Sequence, residues 1–166
     1  MLQPVYYYKT IQSPVGQLRL IASERGLAAV LFHDGRRGKA QVAGDMVQND
    51  EYPLLLKTEK QLAEYFAGKR KQFDIKLDAN GTVFQQKAWR ELVKIPYGQT
   101  INYGEQARRL GDSNKARAVG MANGRNPISI IVPCHRVIGA SGDLTGFGGG
   151  VDVKQQLLEL EQQFAA

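Results

Sequence analysis

At 166 residues the chain is long enough for one medium domain or two small ones with a real core, and its 43% hydrophobic and 23% charged residues are those of an ordinary globular protein. A single cysteine excludes an internal disulfide and a cysteine-rich zinc site, and suits a reducing compartment. The net charge of +6 is unevenly placed: from Lys87 to Arg136, nine Lys or Arg face only Glu91, Glu105 and Asp112, so the whole excess lies in that stretch.

The opening Met1-Leu2-Gln3-Pro4-Val5-Tyr6 lacks the basic flank and apolar stretch of a secretory signal. The longest apolar run, Leu27 to Phe32, is far short of the roughly 20 residues that span a bilayer, so no membrane association and a cytoplasmic location are expected. Val5 to Gln12, Val15 to Ala22 and Gly26 to Phe32 are β-branched or aromatic runs divided by turn residues, and predict three strands. His33, alone at the end of the third, reads as structural or surface. Gly35 to Asp50 is polar and glycine-containing and predicts a loop. Pro53 suits a first helical position, Leu55, Leu62, Tyr65 and Phe66 favour one helical face, and Gly68 ends it. Phe73, Ile75 and Leu77 alternate as a further strand would.

Asp78-Ala79-Asn80-Gly81 reads as a linker, dividing a strand-rich unit over 1–80 from a mostly helical unit over 81–166. The fold class is therefore α+β. Thr82 and Gln85 form a capping-box pair, and Phe84, Ala88, Trp89 and Leu92 make an apolar stripe that stops before Pro96. Asn102 and Glu105 open a short helix that Gly111 stops, and Asp112 or Ser113 caps another from about Asn114 to Asn123. Two short helices joined by such a turn resemble a helix-turn-helix. The second is slim, with Ala116, Ala118, Gly120, Ala122 and Gly124. Small residues serve tight packing, or equally close approach to a narrow groove with Lys115, Arg117 and Arg125 supplying charge. The basic excess is accordingly either a solvated face or a phosphate-facing surface.

After Asn126-Pro127 comes an apolar, strand-like run, Ile130-Ile131-Val132, and then Pro133-Cys134-His135-Arg136-Val137. A lone thiol there is a nucleophile or a small core residue. The thiolate is the reactive form and an ordinary thiol ionises near pH 8.5, so it needs a base. Neighbours on an extended backbone point apart, so His135 reaches Cys134 only if the chain turns or a water bridges them. Residues 139 to 150 hold six glycines: a flexible loop, or a backbone that approaches a flat ligand closely. In the last helix Val153, Leu157, Leu160 and Phe164 form an apolar face that also carries Glu161, an inward carboxylate that requires a cation or an imidazole.

Pro133-Cys134-His135-Arg136-Val137, with Lys115-Ala116-Arg117-Ala118-Val119-Gly120 and Arg125-Asn126-Pro127 upstream, resembles the signature of the O6-alkylguanine-DNA alkyltransferases. The likeness covers Thr82 to Glu161 closely and the N-terminal half in length and strand order only. It implies a ribonuclease H-like α/β domain ahead of a helical one. It further implies a repair protein that flips an O6-alkylguanine, and O4-alkylthymine as well, out of duplex DNA and takes the alkyl group irreversibly onto its own cysteine.

On that resemblance Cys134 is the acceptor, His135 a base acting through water, Glu161 the residue that orients it, and Asn126 a hinge. Tyr103 crowds the phosphate and bonds the flipped base; Arg117 fills the gap in the stack; Lys115, Ala116, Ala118 and Arg125 complete the DNA surface. Val137, Phe147, Gly148 and Lys154 line the base pocket. Phe147-Gly148 departs from a tyrosine-serine pair frequent in the family, and the zinc-binding N-terminal cysteines of some members are absent. The implied protein needs no cofactor, no metal and no obligate protein partner, and works as a monomer with cooperative assembly on DNA. A damage sensor without transfer and a Cys-His-Glu hydrolase with repeated turnover are the competing readings.

Overall fold

The computed structural model describes residues 5–32, 42–144, 147 and 149–165. Three antiparallel-paired strands, β1 (Val5–Ile11), β2 (Leu18–Ala22) and β3 (Leu27–Phe32), form where the apolar runs predict them. A fourth, β4 (Asp45–Gln48), pairs parallel with β1 and completes a mixed sheet in the order β3-β2-β1-β4. It lies inside the stretch predicted to be a loop. The strand is short, half polar and mostly exposed at the sheet edge, and its partner among the described residues is far away in sequence, so no local pattern marks it. The strand predicted over Phe73, Ile75 and Leu77 is absent: the segment is extended but makes one bridge to β3, through Leu27 N–H to the Lys76 carbonyl (2.8 Å) and Asp78 N–H to the Leu27 carbonyl (2.7 Å).

Alternation in β2 sends Leu18, Leu20 and Ala22 to the main core and Ile21 to the opposite face, where Tyr6, Ala28 and Ala29 join it. Helix α1 (Pro53–Phe66) packs against the sheet, and buries Leu55, Leu62 and Tyr65 in the main core. Its end turns at Gly68, with φ of +76°, against the ring of Phe164.

Helix α2 (Val83–Val93) carries both halves of the Thr82–Gln85 capping box. The two-residue strand β5 (Ile101–Asn102) leads into α3 (Tyr103–Arg109), whose N-cap Asn102 accepts from Glu105 N–H. Glu105 does not close a capping box; its carboxylate pairs with Arg108 and Arg109 instead. The next helix begins later than predicted. Asp112 caps a single 3-10 turn, Ser113–Lys115, and α4 runs Ala116–Gly124. Strand β6 (Val137–Ile138) pairs parallel with β5, and α5 (Val151–Phe164) closes the chain. One core is continuous through both halves, from Leu20 and Leu55 to Trp89, Ile128, Val153 and Leu157. Among the described residues no helix is long and apolar enough to cross a membrane.

Candidate active site

The segment that carries the cysteine is buried without being a strand. Its anchor is β3: Val30 N–H donates to the Pro127 carbonyl (2.9 Å) and Ser129 N–H to the Val30 carbonyl (3.4 Å). Ile130 then takes φ of +74°, a conformation that costs a β-branched residue about 1–3 kcal/mol and persists only where its surroundings impose it. The apolar run Ile130-Ile131-Val132 is thus apolar because it is enclosed, and short apolar runs do not distinguish the two cases. Cys134–Arg136 follow as one 3-10 turn, closed by Arg136 N–H to the Pro133 carbonyl (3.0 Å). The chain therefore does turn at Cys134, and successive side chains fan out by about 120° instead of pointing apart.

Glu161 is 1% exposed and is the centre of the arrangement. Its Oε2 meets His135 Nε2 at 2.7 Å and accepts from the Tyr65 hydroxyl (2.6 Å) and Arg136 Nη2 (3.0 Å). Its Oε1 accepts from Arg136 Nε (2.8 Å) and Gly98 N–H (3.2 Å). The requirement for a cation or an imidazole is met by both. Burial alone would raise this carboxyl; hydrogen bonds and charge from His135 and Arg136 win and hold it at about 2. An ionised Oε2 selects the tautomer of His135 with the proton on Nε2. Nδ1 is then the basic nitrogen, and it is buried with no hydrogen-bond partner among the described residues. Burial, opposed by Glu161, keeps His135 below its usual value, so the ring rests neutral.

Cys134 is 8% exposed. Burial pushes its thiol up, against a hydrogen bond from the Asn126 side chain and the charge of Lys154. At rest it is a thiol, and its proton must leave as it reacts. Asn126 also donates from Nδ2 to the Val132 carbonyl (2.8 Å) and accepts from Ile128 N–H (3.0 Å), which ties the end of α4 to the cysteine turn. Lys154, on α5 and 1% exposed, donates from Nζ to the Val137 carbonyl (2.6 Å) and lies 5.8 Å from the centre of the Tyr103 ring. Desolvation holds its ammonium below the usual value. Tyr103, Lys154, Val137 and Cys134 are therefore neighbours. Phe147 packs edge-on against Phe32 at the end of β3, with ring centres 5.5 Å apart. Gly148 lies outside the described residues.

The basic excess divides into two populations. Arg136 is buried on Glu161, Arg108 and Arg109 hold Glu105, and Lys94 holds Glu91 (2.6 Å). Lys115 and Arg117 at the start of α4 and Arg125 just past its end are exposed, with Ala118 exposed and Ala116 half-buried between them, and Lys87 and Arg90 are exposed on α2. Phe84, Asn114, Lys115, Arg117, Ala118 and Met121 line a shallow cleft of about 520 Å³ there. Both readings of the slim helix apply to different residues. Ala122 is buried and its carbonyl accepts from Trp89 Nε1 (2.8 Å), whereas Ala118 faces outward.

Four participants escaped the sequence. Tyr65 showed only as one residue of an apolar stripe, since its partner is 96 positions away. The Gly98 N–H carries no side-chain signal at all. Gln106 and Asn123 exchange hydrogen bonds between buried amides (3.0 and 2.8 Å), locking α3 to α4; polar residues on inward helical positions were the available clue. Among the described residues no group of three His, Cys, Asp or Glu could hold a metal.

Two family models match the chain: the ribonuclease-like domain of 6-O-methylguanine DNA methyltransferase over residues 6–79 and its DNA binding domain over residues 83–163. A methylated-DNA–protein-cysteine methyltransferase of Methanosarcina acetivorans is 49% identical over 93% of this chain and 97% of its own length. The protein of that name from Mycobacterium tuberculosis (strain H37Rv) is 47% identical over 96% of this chain and 94% of its own. A crystal structure of a Mycobacterium tuberculosis relative in complex with DNA covers 96% of this chain and 94% of that one, with 45% identity and a TM-score of 0.85.

Proposed function

The chain belongs to the 6-O-methylguanine DNA methyltransferase family, and on that premise we propose that it repairs DNA by moving the alkyl group of O6-alkylguanine, and of O4-alkylthymine, onto Cys134. The observation that carries this reading is the cysteine turn: a buried thiol beside an imidazole whose Nε2 is held by an ionised carboxylate and whose Nδ1 is buried and unbonded.

In the proposed step the Cys134 sulfur attacks the alkyl carbon and the carbon–O6 bond breaks. The thiol proton passes through a bridging water to His135 Nδ1, the departing guanine takes up a proton from the Tyr103 hydroxyl, and the imidazolium returns its proton through solvent to that phenolate, so the products are a thioether, an unmodified base and a neutral relay. Glu161 keeps the imidazole in the required tautomer and stabilises the imidazolium that forms. Nothing regenerates the thiol. One protein therefore repairs one lesion, and no cofactor takes part.

Because Cys134 is nearly sealed, the base must leave the duplex to reach it. Arg117 is the side chain that replaces it in the stack, and Lys115, Ala116, Ala118 and Arg125 border the backbone. Tyr103 meets the phosphate and the flipped base, Asn126 couples α4 to the cysteine, and Val137, Phe147 and Lys154 enclose the purine. The Val137 carbonyl accepts from Lys154 Nζ with one lone pair, and its second accepts from the exocyclic amine of the flipped guanine. Residues 81–166 form the reacting unit and residues 1–80 its support. The protein acts as a cytoplasmic monomer that assembles cooperatively on DNA.

The test is incubation with a duplex that contains one O6-methylguanine, followed by intact mass measurement. One added methyl on Cys134, ending at one equivalent and lost in Cys134→Ser without loss of DNA binding, is expected. Repeated turnover would make the protein a hydrolase, and binding without a mass change would make it a sensor.

A further inference from the structure

The N-terminal half reaches into the relay at one atom. Tyr65 on α1 is fully buried, and its hydroxyl donates to Glu161 Oε2 at 2.6 Å, the oxygen that also holds His135 Nε2 at 2.7 Å. Packing alone does not require a phenol there. The ring lies against Phe66, Phe73 and Tyr97, contacts that a phenylalanine would keep.

We propose that Tyr65 is a positioning residue for the relay: by competing with His135 for one carboxylate oxygen, it limits how strongly Glu161 draws the imidazole proton. The inference rests on the reading of His135 as the base. A carboxylate oxygen offers a fixed amount of acceptor strength, and each further donor weakens what remains for the others. Oε2 already serves three donors. With the phenol in place His135 is a weaker base that gives its proton up readily; without it the imidazolium is held more tightly.

The charged and titratable groups that face this junction come from four elements. They are Tyr65 on α1, Tyr97 in the turn after α2, Cys134 and Arg136 on the cysteine turn, and Lys154 and Glu161 on α5. Lys71 is one layer out, 5.6 Å from the Tyr97 ring centre. Arg136 and Lys154 both oppose protonation of His135, so its titration responds to any change in the strength of Glu161, the group that favours it. Tyr97 is the internal comparison, because its buried hydroxyl has no hydrogen-bond partner among the described residues.

The experiment follows the ring nitrogens of His135 by NMR across pH in the full chain; with two histidines in the sequence, His33→Gln leaves a single imidazole to observe. Tyr65→Phe is expected to move the His135 midpoint to higher pH, and Tyr97→Phe to leave it in place. Fluorotyrosine incorporated into the unaltered sequence makes the phenol a stronger donor and is expected to move the midpoint to lower pH. The pH dependence of transfer from free O6-benzylguanine should follow each shift.

An unmoved midpoint in both altered forms, or an equal shift in Tyr97→Phe, would overturn the proposal and leave Tyr65 a satisfied core phenol. Should Tyr65→Phe fail to fold, the fluorotyrosine shift decides. Failure of the unaltered chain to transfer alkyl would sink the proposed function and still leave the His135 titration readable.

Discussion

Replacing Glu161 with glutamine keeps the volume and removes one charge at the point where five donors converge. The amide can keep only one of the two oxygens. Placing its NH2 on the Oε1 side sacrifices two acceptors, those of Arg136 Nε and Gly98 N–H; the other orientation sacrifices three, those of Tyr65, His135 and Arg136 Nη2. The first is the cheaper. It leaves a guanidinium that is 6% exposed facing a neutral amide, although Arg136 Nη1 keeps the Ile95 carbonyl at 2.7 Å.

Each unsatisfied buried donor costs about 1–3 kcal/mol, and a buried ion pair that loses one partner about 3–5 kcal/mol. Against a typical total of about 5–15 kcal/mol, Glu161→Gln should remove roughly a third of the stability. Urea denaturation measures that loss. The rate of methyl transfer at a temperature where the variant is folded should also fall, because a neutral amide no longer stabilises the imidazolium. Leu157→Ala, a fully buried change on the same helix, should cost a comparable amount through its cavity and spare the rate. A Glu161→Gln variant less than about 1 kcal/mol weaker, with an unchanged rate, would refute the placement of this carboxylate at the centre of the relay.

Acid should destabilise the chain in two stages. The carboxyl of Glu161 sits at about 2 against an ordinary 4.5, so the unfolded chain binds its proton first, and its contribution of about 3 kcal/mol is lost as pH falls from 4.5 toward 2. His135 is held below its ordinary 6.5, so its contribution starts to be lost as pH falls below that value; a Tm independent of pH between 7 and 3 would contradict both. Arg117→Ala should weaken duplex binding more than it slows reaction with free O6-benzylguanine, and equal losses would refute its role in the stack. With Lys115 and Arg125 as the phosphate contacts, log K should fall against log salt with a slope of about −2, and binding indifferent to salt would discard the phosphate-facing surface.

Local chemistry in the sequence determined the helices and most of their ends, the start of α4 excepted. The Thr82–Gln85 box, Asn102 and Pro53 act on backbone groups within a few residues, so their effect is readable without the fold. The register of α5, and with it an inward Glu161 that needs a partner, followed from a 3.6-residue period. The cysteine, the histidine and the exposed cations of α4 stood out by residue type and motif.

Tertiary structure alone decided the rest, because the deciding partners are distant along the chain. β4 exists only through pairing with β1, and the cysteine segment is buried coil because β3 supplies its hydrogen bonds. Four of the nine cations proved to be paired, leaving Lys87 and Arg90 on α2 and Lys115, Arg117 and Arg125 on α4 and its flanks exposed to an outside partner. Which nitrogen of His135 is the base, and that a tyrosine from the other half of the chain shares its carboxylate, follows from donors gathered around one oxygen. A pattern read along a line carries the period of an element; it does not carry which elements close on the same atom.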